Sequence, residues 1–185
     1  MRPHLLGVDD GPFVKGQREP VPLVAALCEG PDLVEAVATS AFAVDGDGAT
    51  EFLARWLGGL RATAAAQAVA LGGITLAGLG LVDVNALAQA LELPVLVVTR
   101  RPPDNARLRE ALFAAGLGER FAIAERSPEA FATDDGLWVA HAGVARGEAL
   151  ALLHAGRGKA KLPEALRIAH LFATALVRGE SHGRV

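Results

Sequence analysis

Apolar runs broken by short polar or glycine-rich stretches define the elements of this chain, because strands and helices space their buried positions differently. Residues 5–8 are a strand-length apolar run that stops abruptly at Asp9, Asp10 and a Gly11–Pro12 turn signal. A loop carrying Lys15 and Arg18 leads to a second run at 21–28. Residues 29–32 read as a hairpin turn, and 33–44 hold a third strand. Three strands before any helix predict an antiparallel opening. Over 51–61 the spacing turns helical, with Phe52, Leu53, Trp56, Leu57 and Leu60 on one face. From residue 68 strand and helix alternate: a buried strand over 68–76, a helix over 83–91, a strand over 94–99 and a helix over 104–115 stopped by Gly116. Residues 118–136 are less regular, with short pieces at 121–124 and 128–132. A last strand is expected at 137–140, then a short helix over 148–154, a basic loop over 157–161 and an amphipathic helix over 163–178 that starts on Pro163.

Three strands, a helix and then alternating strands and helices is the order of a ribonuclease H-like fold. That fold is mixed α/β, with a central sheet flanked by helices, and one domain over residues 1–185 is expected. A hydrophobic fraction of 51% and a charged fraction of 21% describe a chain that folds on its own core. No apolar run reaches membrane-spanning length, and the first residues lack a signal peptide's apolar stretch, so the expected location is the cytoplasm. Cys28 is the lone cysteine, which excludes an internal disulfide and any multi-cysteine zinc site. A net charge of −3 is not that of a globally basic nucleic-acid binder, but the charge is uneven. From Gly156 onward there are six basic residues (Arg157, Lys159, Lys161, Arg167, Arg178, Arg184) against two acidic ones (Glu164, Glu180). Such a surplus suits a phosphate backbone, and equally a solvated helical face.

Three acidic sites follow apolar runs: Asp9–Asp10, the Asp45-Gly46-Asp47-Gly48 turn, and Asp83. Carboxylates recurring at one edge of a sheet suggest a hard-cation site. Each also has a structural use, as a turn residue at Asp9, Asp45 and Asp47 and as a helix cap at Asp83. The glycine-rich 76–80 run is not a phosphate loop, since no Gly-Lys-Ser/Thr follows it.

Several segments together resemble the endonuclease dU family, which is distantly similar to endonuclease V. They are Gly7-Val8-Asp9-Asp10-Gly11-Pro12-Phe13, residues 44–50, residues 73–78, Leu93-Pro94-Val95, and Leu162–His170 closed by Gly179-Glu180-Ser181. The resemblance implies a metal-dependent endonuclease of DNA repair. It would use Mg²⁺ or Mn²⁺ to hydrolyse a phosphodiester near deaminated bases (uracil or hypoxanthine) in nucleic acid, DNA being the first expectation. Residue by residue it makes Asp9 the first-strand ligand and Asp47, with Asp45 as an equal candidate, the second. Arg100 stands in the place of a lysine, and Arg167 and His170 match the arginine and histidine of the last helix. Asp9, Asp47 and His170 are thus the expected catalytic residues; Arg100, Arg167, Lys159 and Lys161 are expected to bind substrate. One departure stands out. Endonuclease V ends its fourth strand in an aspartate followed by glycine, whereas this chain has Leu71-Gly72-Gly73, so Asp10 or Asp83 must supply the lost charge, with Glu180 next in line.

Two other classes remain open from sequence. The Asp45–Gly48 turn also resembles the Asp-x-Asp-Gly loop of haloacid dehalogenase-like phosphatases, in which Asp45 would be the nucleophile and Asp47 the acid/base. That reading wants a later lysine and acidic pair, for which only Arg100 and Asp134-Asp135 are at hand. The missing fourth-strand carboxylate equally allows a nucleic-acid-binding protein without catalysis.

Overall fold

The computed structural model describes residues 2–183. In chain order the strands are β1 (His4–Asp10), β2 (Val21–Glu29), β3 (Leu33–Phe42), β4 (Ala68–Leu71), β5 (Thr75–Leu76), β6 (Gly80–Leu81), β7 (Val95–Thr99), β8 (Phe131–Ala132) and β9 (Trp138–Ala142). The helices are α1 (Ala49–Gly58), α2 (Val84–Leu91), α3 (Asn105–Ala114), α4 (Phe121–Arg126), α5 (Arg146–Ala155) and α6 (Glu164–Arg178). Seven strands form one sheet in the order β3-β2-β1-β4-β7-β9-β8. The first three pair antiparallel, β1, β4 and β7 run parallel, and β9 returns antiparallel to β7. This is the mixed α/β, helix-flanked sheet that the order of apolar runs predicts. Among the described residues no helix is long and apolar enough to cross a membrane.

Alternation along β1 decides what lies where. Leu6 and Val8 join the core under α1 and α2, with Leu53, Leu57 and Leu87. Leu5 packs on the other face against Ala165 of α6. Side chains two apart share a face, so Gly7, Asp9 and Gly11 look toward α6 while Asp10 looks toward α1. Burying a leucine such as Leu53 or Leu57 completely stabilises the fold by about 1.5–3 kcal/mol, which ties α1 to the sheet.

Helix α6 lies along β1 at unusually close range. A Cβ on Gly7 would collide with the Ala165 carbonyl carbon, and one on Gly11 would sit 2.8 Å from the Ala173 carbonyl oxygen. Both contacts require glycine on the strand, and small residues (Ala165, Ala169, Ala173) line the facing side of the helix. From Gly7 to Gly11 the strand rises roughly 13 Å, and from Ala165 to Ala173 the helix rises roughly 12 Å. The two elements therefore run side by side in matched register. Gly179, at a φ of 81°, ends the helix with its N–H on the Ala175 carbonyl.

The expected single strand over 68–76 is two elements, the second of which pairs with a strand beyond it. β4 stops at Leu71, the Gly72–Gly73 pair breaks the run, and β5 and β6 form a separate two-stranded hairpin. Within the irregular 118–136 stretch, 121–126 is a helix and only Phe131–Ala132 is extended, pairing with β9.

Candidate active site

Asp9 stands at the end of β1 and its Oδ2 lies 2.7 Å from Nδ1 of His170. The glycine contacts explain the meeting. Two residues beyond Gly7 and five beyond Ala165 are similar rises of roughly 7 Å, so the side-by-side packing carries His170 to the level of Asp9. The His170 side chain is 60% exposed. Its hydrogen bond to Asp9 holds the imidazole above its ordinary value, and the positive field of Arg100 opposes that rise. His170 is thus more protonated at neutral pH than a free histidine.

The other oxygen of Asp9 faces Gly72. A Cβ on Gly72 would lie 3.5 Å from Asp9 Oδ1 and 4.0 Å from the Leu166 side chain, ordinary contact distances. Gly72 therefore occupies the place beside Asp9 where a second carboxylate would point, and leaves it open. Three cavities meet at Asp9. One of about 750 Å³ includes Asp10, Phe13, His170, Glu180 and His182. A second of about 430 Å³ includes Gly72, Arg100, Arg167 and His170. The third, about 300 Å³, is bordered by Asp10, Phe13, Leu53 and Gly73. A larger hollow of about 810 Å³ adjoins them through Gly72, with Thr75, Arg101, Asn105 and Trp138 on its walls. Arg100 stands exposed at the end of β7, whereas the Arg167 fork is held by Glu164 one turn back, with its Nε 2.7 Å from Oε2.

Asp10 turns away from Asp9, as strand alternation requires. Its Oδ2 accepts the Ala77 N–H at 2.5 Å, and burial pushes its carboxyl up to about 6 from 3.8. Because that folded value exceeds the unfolded one, the folded state binds the proton more tightly between these pH values. Stability then rises as pH falls from about 6 to about 4, and above that window ionised Asp10 costs stability. In EDTA, Asp10→Asn is accordingly expected to stabilise the protein at pH 8 by on the order of 1–2 kcal/mol and to be nearly neutral at pH 4. Urea melts at the two pH values measure this, and an equal effect at both would refute it.

The remaining acidic residues lie elsewhere. Asp45 has a φ of 52°, which aspartate tolerates in turns, and its Oδ1 accepts the Leu79 N–H at 2.8 Å. Its backbone N–H donates to the Ala77 carbonyl, so Asp45 and Asp10 bracket one turn. Arg120, which the sequence offered no reason to single out, clamps this corner by donating to the carbonyls of Asp45, Gly46 and Leu79. The Asp47 side chain is 92% exposed and 3.9 Å from Arg120. Asp83 caps α2, accepting the Ala86 N–H at 3.0 Å, and pairs with Arg126. Asp83→Ala is expected to cost about 1 kcal/mol through the lost cap. A denaturant melt of the variant beside wild type measures this, and an unchanged midpoint would refute it.

Asp9, Asp10 and His170 are therefore brought together around one group of cavities, with Arg100 and Arg167 at its rim. Asp45, Asp47 and Asp83 are not. Lys161 donates to the Asp135 carbonyl and Lys159 is exposed; neither lines the cavities at Asp9. Among the described residues, the one trio of His, Asp, Glu or Cys side chains with ligand atoms all within 4.8 Å of one another is His4, Glu29 and Glu35. That trio sits at the opposite end of β1 from Asp9. The phosphatase reading finds no support in this geometry: Asp45 is engaged with Leu79, and Asp135 is engaged by Arg157 and Thr133.

The endonuclease dU family profile matches residues 2–177. The chain belongs to the endonuclease dU family. A relative from Deinococcus radiodurans, a UPF0215 protein, is 39% identical over 98% of this chain and 92% of its own length. Among solved structures, a protein of unknown function from Archaeoglobus fulgidus superposes with a TM-score of 0.86 at 28% identity, covering 98% of this chain and all (100%) of its own. The Ciona intestinalis endonuclease V, solved with a 24mer DNA containing an inosine followed by a ribo-adenosine, superposes with a TM-score of 0.64 at 9% identity, covering 96% and 87% of the two chains. At that identity the likeness is one of fold, and it makes the endonuclease dU sheet a ribonuclease H-like one. Family and fold together point to a nuclease.

Proposed function

We propose that this protein is a divalent-metal-dependent endonuclease that hydrolyses a phosphodiester near a deaminated base, uracil or hypoxanthine, in DNA, as a step of DNA repair. The observation that carries the reading is Asp9: a strand-end carboxylate hydrogen-bonded to His170 where three cavities converge. The family description names dU, and the inosine-containing DNA in the Ciona endonuclease V structure supports a deaminated base in nucleic acid as the ligand class.

The donor set suits Mg²⁺ or Mn²⁺, which need few protein carboxylates and take waters and substrate phosphate as further ligands. With Oδ2 engaged by His170, Asp9 would hold the cation through Oδ1, the oxygen beside the open Gly72 position. A cation there supplies charge neutralisation on the phosphate, an activated water and stabilisation of the leaving oxygen. His170, fixed by Asp9 at Nδ1 and held above its ordinary pKa, keeps Nε2–H as a proton donor toward the leaving oxygen. Arg100 at the cavity rim binds a flanking phosphate with its guanidinium fork. The 810 Å³ hollow beyond Gly72 has room for an unstacked base next to the reacting phosphate.

End-labelled strands containing a single uracil or hypoxanthine, incubated with Mg²⁺ or Mn²⁺, test this. Cleavage close to the modified base, absent in EDTA and absent on unmodified strands, is the expected result. The open position at Gly72 favours a second reading, nucleic-acid binding without catalysis. Tight binding with no cleavage in either metal would establish that reading instead.

A further inference from the structure

The segment between β1 and β2 holds two apolar side chains in an unusual place. Val14 is 73% exposed and Phe13 is 36% exposed, immediately after the Asp9–Asp10 pair. The turn that presents them is held in shape by its own residues. The Gln17 side chain accepts the Val14 N–H at 2.9 Å and donates to the Glu19 carbonyl at 3.0 Å, and the Gln17 N–H donates to the Val14 carbonyl. Gly16, with a φ of 84°, closes the turn. Phe13 has a seat as well: the tip of its ring lies against Gly78, a positive-φ glycine whose missing side chain leaves space for the ring as well as for the Asp45 carboxylate, and a Cβ there would come 3.3 Å from the ring. From that seat the ring borders two of the cavities that contain Asp9 and Asp10. Lys15 and Arg18 are exposed on the same turn.

A fixed, half-exposed aromatic beside a fully exposed valine and two cations matches the surface chemistry of nucleobases joined by phosphates. Aromatic rings stack on bases irrespective of sequence, small apolar side chains press against base edges or steps, and lysine or arginine follows the backbone. We infer that Phe13 and Val14 form a base-contacting platform at the mouth of the site, with Phe13 stacking on a base next to the scissile phosphate and Lys15 on the adjoining phosphate. This deepens the nuclease reading and rests on it. Neither side chain moves protons; the platform positions the strand so that the reacting phosphate lies over Asp9.

The test uses the full chain in Ca²⁺ with DNA strands carrying one uracil and 2-aminopurine as its 5′ or 3′ neighbour. Wild-type binding is expected to change the 2-aminopurine fluorescence at one of the two positions. Phe13→Ala is expected to abolish that change and weaken binding about tenfold, with an unaltered slope of log affinity against log salt. Lys15→Ala is expected to do the reverse, flattening the slope by about one unit and keeping the fluorescence change. Phe13→Trp should bind like wild type and Phe13→Leu like Phe13→Ala, since only the former keeps a stacking face. If Phe13→Leu restores everything that alanine loses, the ring is packing alone and the inference is overturned. It is overturned by itself if the wild type cleaves while Phe13→Ala and Val14→Ala match it in both binding and fluorescence. A wild type that neither binds nor cuts these strands removes the nuclease reading and the platform together.

Discussion

Asp9→Asn is expected to lower divalent-metal-dependent cleavage by about three orders of magnitude while the protein melts within a few degrees of wild type. The amide keeps the volume and shape of the side chain, so the contact of β1 with α6, made by Gly7, Gly11 and the alanines of α6, is untouched. What goes is the charge, which in the proposed mechanism serves two partners at once. Oδ1 loses its pull on a cation, and Oδ2 no longer holds the His170 imidazole above its ordinary pKa. Two readouts therefore move together: Mn²⁺ affinity by titration calorimetry, and the pKa of His170 by NMR, which falls toward that of a free histidine. His170→Gln should cost less, about a hundredfold, because general-acid assistance is lost while the cation site stays. A folded Asp9→Asn protein that cuts at the wild-type rate would remove Asp9 from the mechanism altogether.

The sheet was readable because its strands are apolar runs ended by turn residues, and three such runs before a helix imply an antiparallel start. Periodicity failed over 68–76. Apolar content alone does not distinguish one buried strand from a short strand followed by a buried hairpin, and the Gly72–Gly73 break was the only local sign. Asp9 was legible from its position at a strand's end. Its pairing with His170 was not, since it depends on α6 lying in register along β1 across 161 residues of sequence. The physical trace of that packing was present in the sequence as Gly7, Gly11, Ala165, Ala169 and Ala173, small residues at strand spacing on one element and helical spacing on the other. Asp45 and Asp83 show the ambiguity of isolated carboxylates: Asp83 accepts a backbone N–H where a helix begins, Asp45 accepts one from a distant hairpin, and nothing in one sequence separates such uses from metal binding. The Arg120 clamp joins a loop after β3 to the β5–β6 hairpin, and no local pattern announces such a long-range contact.

Gly72→Asp should turn the open position beside Asp9 into a second metal ligand. The site has space for the first carbon of a side chain: a Cβ there meets Asp9 Oδ1 at 3.5 Å and Leu166 at 4.0 Å, both ordinary contacts. Without metal, the new carboxylate faces Asp9 at close range, and like charges disfavour ionisation of both. The variant is therefore expected to melt lower than wild type in EDTA at neutral pH and to regain stability as the pH is lowered and the pair takes up a proton. With Mn²⁺ the same pair becomes an asset. Affinity should rise at least about tenfold, and the melting temperature should climb with metal concentration more steeply than in wild type. The double variant Asp9→Asn, Gly72→Asp decides whether the two residues act as one site. If they do, the gain from Gly72→Asp disappears in the Asp9→Asn background, a coupling that a double-mutant cycle reads directly. If Gly72→Asp binds Mn²⁺ no better than wild type, the cation does not sit at Asp9 Oδ1, and the assignment of that oxygen is lost even if Asp9 itself remains essential.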